Sequence, residues 1–159
     1  MWAVPDPGIF EVRAIGVVSS PRLEVADDDW GEVLSTIELL HPFGEAHLQG
    51  LADFSHVEVV FVFDRVDPTA VVRAVRRPRG NPVWPEVGIF AQRAKDRPNR
   101  LGISTCALEG VEGSTLRVKG LDAVDGTPVL DVKPYMEEFG PRGLVRQPPW
   151  ARQLMSGYF

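Results

Sequence analysis

The run HVEVVFVFDRV, residues 56–66, limits what this chain can fold into more than any other stretch. β-branched and aromatic side chains follow one another along it. They pack well on a pleated, half-buried surface and lose rotamer freedom against a helix turn. The run reads as the central strand of a sheet. FEVRAIGVV, residues 10–18, alternates and then turns apolar, as a first strand does, and VLSTIELL, residues 33–40, reads as a second. AVVRAVRR, residues 70–77, is a weaker strand that ends at PRGNPVWPE, whose prolines preclude regular structure. The apolar stretches 87–90 and 101–103 read as strands on either side of a loop, and residues 102–121 read as a hairpin turning around Gly110 to Gly113. Residues 122–136 read as a turn, a short strand and a proline stop. Helix is sparse: a short one over residues 45–54, where Ala46, Leu48, Leu51 and Phe54 stand near helical spacing, and one turn after Pro149. Six or seven short strands with little helix predict a mainly β fold, a sheet or barrel, and 159 residues fit one domain with a sizeable core.

Composition excludes several classes. No apolar run approaches the roughly 20 residues of a membrane span. The start, MWAVPDPGIFEVRAIG, lacks a basic stretch followed by an apolar one, so neither a signal peptide nor a membrane partner is expected. The 44% hydrophobic and 25% charged content is ordinary for a soluble globular protein. Cys106 is the sole cysteine and cannot form an intramolecular disulfide, which favours the cytoplasm. It falls in an expected strand and reads as a buried small hydrophobe rather than a nucleophile. His41, His47 and His56 lack the paired spacing of metal ligands, so no metal is expected, and His56 reads as a cap on its strand. Dinucleotide, phosphate-loop, zinc-protease and nucleophile-elbow motifs are missing.

Charge is unevenly placed on a chain of net −5. Residues 71–100 hold eight Lys/Arg (Arg73, Arg76, Arg77, Arg79, Arg93, Lys95, Arg97 and Arg100) against Glu86 and Asp96, so this segment is +6 and the remainder −11. Such a field suits an anionic ligand; the competing reading is an arginine-rich face turned to solvent. Four of these cations stand within eight residues of VGIFAQRAKDRPNRLGIS, residues 87–104, and repel one another unless they share an anion. Guanidinium forks take carboxylate or phosphate, and Pro98 and Asn99 stiffen the turn. SSPRLEVADDDWGE, residues 19–32, reads as a long exposed loop with Asp27, Asp28 and Asp29 solvated. In LDAVDGTPVLDVKPY, residues 121–135, a turn explains Gly126 and Pro128. Asp122, Asp125 and Asp131 go beyond what a turn needs. Carboxylates of this kind hold ribose hydroxyls or an amino group, while a calcium loop needs more regular oxygen ligands.

These two stretches together resemble the signature blocks of the TrmO family, also called TsaA or YaeB-like. GIFAQRAKDRPN has the Gly-apolar-Phe-small-x-Arg start, and Arg-Pro-Asn begins four residues after that Arg. IGVVSSP (15–21), GLADFSHVEVVFVF (50–63) and VRRPRGNP (75–82) fit the other blocks in order, so the resemblance covers roughly residues 10–138. It implies one small single-sheeted β-barrel domain over residues 1–159, with few short helices, that binds S-adenosylmethionine without a Rossmann fold and works as a homodimer. The implied activity methylates the exocyclic amino nitrogen of threonylcarbamoyl-adenosine beside the tRNA anticodon, so the expected partner is tRNA and not DNA.

By resemblance the methyl donor lies between the two blocks, with Phe90, Ala91 and Arg93 on one side and Asp122, Gly126, Thr127 and Pro128 on the other. The Asp122 or Asp125 carboxylate would take ribose hydroxyls or the methionyl amine. Arg97 and Asn99 would contact the methionyl carboxylate or the substrate, and with Asp131 and Tyr135 they make the expected catalytic set. Arg76, Arg77 and Arg79 would meet RNA phosphate, Lys95 and Arg100 would stand on the substrate side, and Lys133 and Tyr135 would form a wall. The chemistry is an in-line displacement at the sulfonium methyl, for which the protein mainly aligns donor and nitrogen. A proton must leave that nitrogen, and a carboxylate, His56 or Tyr135 are all open as its base. Two departures stand out: Arg100 replaces the proline of the family's Arg-Pro-Asn-Pro form, and no additional C-terminal domain is expected. Methylation of a small molecule, and donor binding without turnover, are the alternatives.

Overall fold

The computed structural model describes residues 6–159, and its strands close into an antiparallel barrel. The barrel strands are β1 (Gly16–Ser19), β2 (Leu34–Leu39), β3 (His56–Val62), β6 (Leu101–Glu112), β7 (Thr115–Lys119) and β8 (Pro128–Pro134), in the order β1-β2-β7-β6-β3-β8, with β8 returning to β1. β4 (Val75–Arg76) and β5 (Val87–Gly88) pair separately as a short ribbon. The expected central strand is central: β3 pairs with β6 from His56↔Ala107 to Val62↔Leu101 and with β8 from Val57↔Pro134 to Phe61↔Val129.

Alternation sorts side chains between the inside and the outside of the barrel. Val57, Val59 and Phe61 of β3 meet Ile37 and Leu39 of β2, Leu116 and Val118 of β7, Val18 and Val129 in one core. Leu121 and Ala123, from the loop after β7, complete it. Cys106 is 1% exposed within this core, and burial pushes its thiol up to about 12. The interior is tight at Gly102, where a Cβ would stand 2.5 Å from the Phe61 ring.

Several elements are shorter than the sequence pattern suggests. β1 starts at Gly16, and the alternating residues before Ile15 have no strand beside them. The region 45–54 forms two 3-10 turns, Glu45–Leu48 and Leu51–Asp53, rather than one helix, because Gly50 between them sits at φ 83. β3 stops at Val62, and the stretch 70–77 keeps only the two residues of β4. β5 ends at Gly88, where the 3-10 turn Ile89–Ala91 begins. The hairpin turns at Gly113, φ 57, not at Gly110. A register slip between Leu108 and Gly110 bends β6 instead, so that its first half pairs with β3 and its second with β7. The expected turn of helix after Pro149 is present as α1 (Pro149–Leu154). No described helix is long and apolar enough to cross a membrane.

Gly102→Ala forces a methyl group against the Phe61 ring. The substitution is expected to cost ~1–3 kcal/mol, read as a lower urea midpoint at unchanged slope.

Candidate active site

Antiparallel pairing decides which loops meet. Val62 at the end of β3 faces Leu101 at the start of β6, and Phe61 faces Val129 near the start of β8. The loop before β6 and the loop before β8 therefore open on the same end of the barrel. The loop between β1 and β2 joins them: Ser20 N donates to Asp125 Oδ1 at 3.0 Å, and Gly120 N to the Val33 carbonyl at 3.0 Å. The C-terminal tail closes over the group. Asp29 N donates to the Gly157 carbonyl (2.9 Å), Trp30 N to the Tyr158 carbonyl (2.8 Å), and the Trp84 indole to Gln153 Oε1 (2.9 Å).

The basic loop is held by its own arginines. Arg93 donates to the Ile103 carbonyl (2.7 Å), Arg97 to that of Gln92 (2.6 Å) and Arg100 to that of Val66 (2.9 Å). The buried Gln92 amide donates to the Arg76 and Val87 carbonyls, both at 3.0 Å. Arg76 grips Asp96 with both terminal nitrogens. Repulsion among the cations is thus offset within the fold by carbonyl dipoles and a carboxylate. Asn99 and Arg100 sit at φ 64 and φ 50, a left-handed conformation uncommon outside glycine. Asn99, Phe90 and Ala91 are exposed.

The acid-rich loop is not simply solvated. Arg79 pairs with Asp28 at 2.7 Å, which holds that carboxyl below its usual range, and Lys95 stands 3.7 Å from Asp27. Arg22 donates to the Asp28 and Asp29 carbonyls (2.7 and 2.5 Å) and lies over the Trp30 ring, 4.6 Å from its centroid. Arg77 is turned to the Trp84 carbonyl. The arginines expected on RNA phosphate are therefore already engaged: Arg76 and Arg79 with carboxylates, Arg77 with a carbonyl.

In the second loop, Ser104 Oγ donates to Asp122 Oδ1 and the Tyr158 hydroxyl to Asp122 Oδ2. Burial and the Asp122 charge together raise the Tyr158 phenol, so it stays a donor. Asp125 fastens the Ser20 amide, and its own carbonyl accepts from Arg65 at 2.6 Å. Gly126 turns at φ 81. Thr127 is buried with its hydroxyl on the Val124 carbonyl (2.7 Å), so that group serves the turn. Pro128 begins β8.

The remaining expected residues lie along β8, away from this end. Asp131 pairs with Lys133 at 2.7 Å, which raises the lysine. Glu58 faces Lys133, and Tyr135 N donates to the His56 carbonyl at 2.9 Å, beside the start of β3. Tyr135 and His56 are thus about 20 Å of extended chain from the start of β8 at ~3.3 Å per residue. Ser104, Trp30 and Tyr158 belong to the shared end and carry no motif that marks them in sequence.

A family model described as the tRNA-methyltransferase O N-terminal domain matches residues 26–140. The chain belongs to this family. It is 39% identical over 104 residues to the tRNA (adenine(37)-N6)-methyltransferase of Homo sapiens, a match covering 65% of this chain and 23% of that protein. It is 39% identical over 138 residues to a probable S-adenosyl-L-methionine-binding protein of Methanothermobacter thermautotrophicus, covering 84% of this chain and 96% of that one. The solved structure of TrmO from Pseudomonas aeruginosa superposes with a TM-score of 0.70 at 33% identity, over 87% of this chain and 62% of that one. The chain thus spans less than a quarter of the human relative and under two thirds of the TrmO structure. The resemblance in family and fold read from the sequence is borne out, and the two TrmO signature blocks are the two loops that meet at one end of the barrel.

Arg76 and Asp96 are 31% and 21% exposed at their side chains, so their pairing is partly shielded from water. Arg76→Ala is expected to cost ~1–3 kcal/mol by thermal or urea unfolding. Arg73→Ala, on an exposed side chain, stays within ~0.5 kcal/mol.

Proposed function

We propose that this chain is an S-adenosylmethionine-dependent methyltransferase acting on the exocyclic amino nitrogen of threonylcarbamoyl-adenosine next to the tRNA anticodon. The observation that carries the reading is the shared barrel end, where the two TrmO blocks come together in a chain of the TrmO family.

The residues there fit the donor by their chemistry. Phe90 (78% exposed) and Ala91 offer an apolar surface to a base. The exposed Asn99 amide can donate and accept. Asp122 accepts one hydrogen bond on each oxygen and keeps further lone pairs for a hydroxyl or ammonium group. Arg93 and Arg97 shape the wall through the carbonyls they cap, while Gly126 and Pro128 set the turn opposite. When bound, the donor supplies an electrophilic sulfonium methyl. The chain's own part is to align the acceptor nitrogen and keep the site ordered. With His56 and Tyr135 at the far end, the carboxylates of the shared end are the groups placed to take the proton that leaves the nitrogen.

RNA phosphate is met by Arg73, Arg77 and Lys95, which are less deeply committed than Arg76 and Arg79, with Arg100 holding the loop. Asp131 and Lys133 lie outside the methyl-transfer centre. The chain works in the cytoplasm as a homodimer, whose contact covers exposed apolar side chains such as Leu101 and Ile103 on the outer face of β6. A second reading, donor binding without turnover, is favoured by the Methanothermobacter relative, which is matched over 96% of its length and is named a probable S-adenosyl-L-methionine-binding protein.

The test incubates the protein with methyl-labelled donor and tRNA bearing threonylcarbamoyl-adenosine, with the nucleosides read by mass spectrometry. Label on that nitrogen is the expected outcome. Donor binding without label on the tRNA rejects the tRNA reading and leaves a small-molecule acceptor or the binding module. Arg77→Glu combined with Arg73→Glu is expected to weaken tRNA binding about tenfold or more at low salt and flatten its salt dependence.

A further inference from the structure

The C-terminal tail reaches the interior of the candidate site. Asp122 is itself half-buried and stands between Leu121 and Ala123, which are 0% and 3% exposed. A carboxylate in such a place needs hydrogen-bond donors, a cation, or both. It has two donors: Ser104, whose side chain faces the barrel interior, and Tyr158, next to last in the chain. Among the described residues it has no ion pair, and the nearby Arg93 guanidinium is directed to the Ile103 carbonyl. Two neutral hydroxyls therefore hold this carboxylate, and among the described residues no cation pairs with it directly.

The placement of Tyr158 is over-determined. The backbone on either side is bonded to the β1–β2 loop through Asp29 and Trp30, and α1 is tied to the loop between β4 and β5 through Gln153 and Trp84. Gly31 admits the last residue at close range, since a Cβ there would come within 2.6 Å of the Phe159 carbonyl carbon. A tail needed only to cover apolar surface has no use for a half-buried phenol on a carboxylate.

We propose that Tyr158 is a positioning residue of the methyl-donor site: with Ser104 it fixes the Asp122 carboxylate so that its free lone pairs receive the positively charged methionyl end or a ribose hydroxyl of the donor. This rests on the function proposed above. The C-terminal tail is then a working wall of the donor site, and the charge missing beside Asp122 arrives with the ligand.

The experiment measures S-adenosylmethionine binding by calorimetry for the wild type and for Tyr158→Phe, Asp122→Asn, the double variant, and Gln153→Ala, with thermal unfolding of each. Tyr158→Phe is expected to weaken donor binding about ten- to hundredfold, the range for a hydrogen bond to a charged group. Asp122→Asn is expected to weaken it similarly, and the double variant no more than the worse single one. In turnover, the donor KM rises and the tRNA KM does not. Gln153→Ala loosens the tail that carries Tyr158, so it should lower the unfolding temperature and weaken donor binding less than Tyr158→Phe does. Donor binding by Tyr158→Phe within twofold of wild type, or tighter as a competing strap requires, overturns the assignment of Tyr158 alone. A folded wild type that does not bind the donor overturns the proposed function with it.

Discussion

The end of the barrel that carries the candidate site depends on arginine side chains bonding to loop carbonyls. Strands satisfy their own peptide groups through the ladder, but the long excursions between β1 and β2, between β3 and β6, and before β8 have little ladder to use. Buried or half-buried carbonyls still need donors. Arg22, Arg65, Arg77, Arg97 and Arg100 supply them, each reaching a main-chain oxygen of a loop, and Arg93 ties the basic loop to the Ile103 carbonyl of β6. A guanidinium suits this task because it is planar, always charged and rich in donors. Removing one of these groups would leave a carbonyl unmet and free the segment that it pins.

This arrangement changes how the charge distribution is understood. The basic segment and the acidic loop are far apart in sequence, yet the barrel lays one against the other. Arg79 meets Asp28, and Lys95 approaches Asp27. Much of the apparent basic field is therefore consumed within the fold. What remains for an outside anion is a smaller set of side chains, and the unsatisfied charge at the centre of the site is negative, on Asp122. The site is thus better matched at its core to a cation than to a phosphate, with the remaining cations placed around it.

Legibility followed the range of the interactions. The run at residues 56–66 announced a central strand because β-branched density is local, and β3 occupies most of it. Alternation likewise exposed β2 and β7, and the prolines at its start marked the short helix at Pro149. Where one glycine or a missing neighbour decides, the local pattern overreached. Gly50 breaks the expected helix over residues 45–54, and the expected strand over 70–77 keeps strand pairing only at Val75 and Arg76. At the site, both signature loops were visible as motifs. The tail was not, because Tyr158 acquires its role from a carboxylate 36 residues away in the chain.

By itself, then, the sequence determined the strands, the turns and the identity of the two loops, since each rests on side chains a few residues apart. Only the tertiary structure decided that β8 returns to β1, that both loops therefore share one end, that Tyr135 and His56 stand at the other, and that the arginines face inward to carbonyls and acids. Those outcomes depend on register and on contacts between distant segments, which no local pattern of residues encodes.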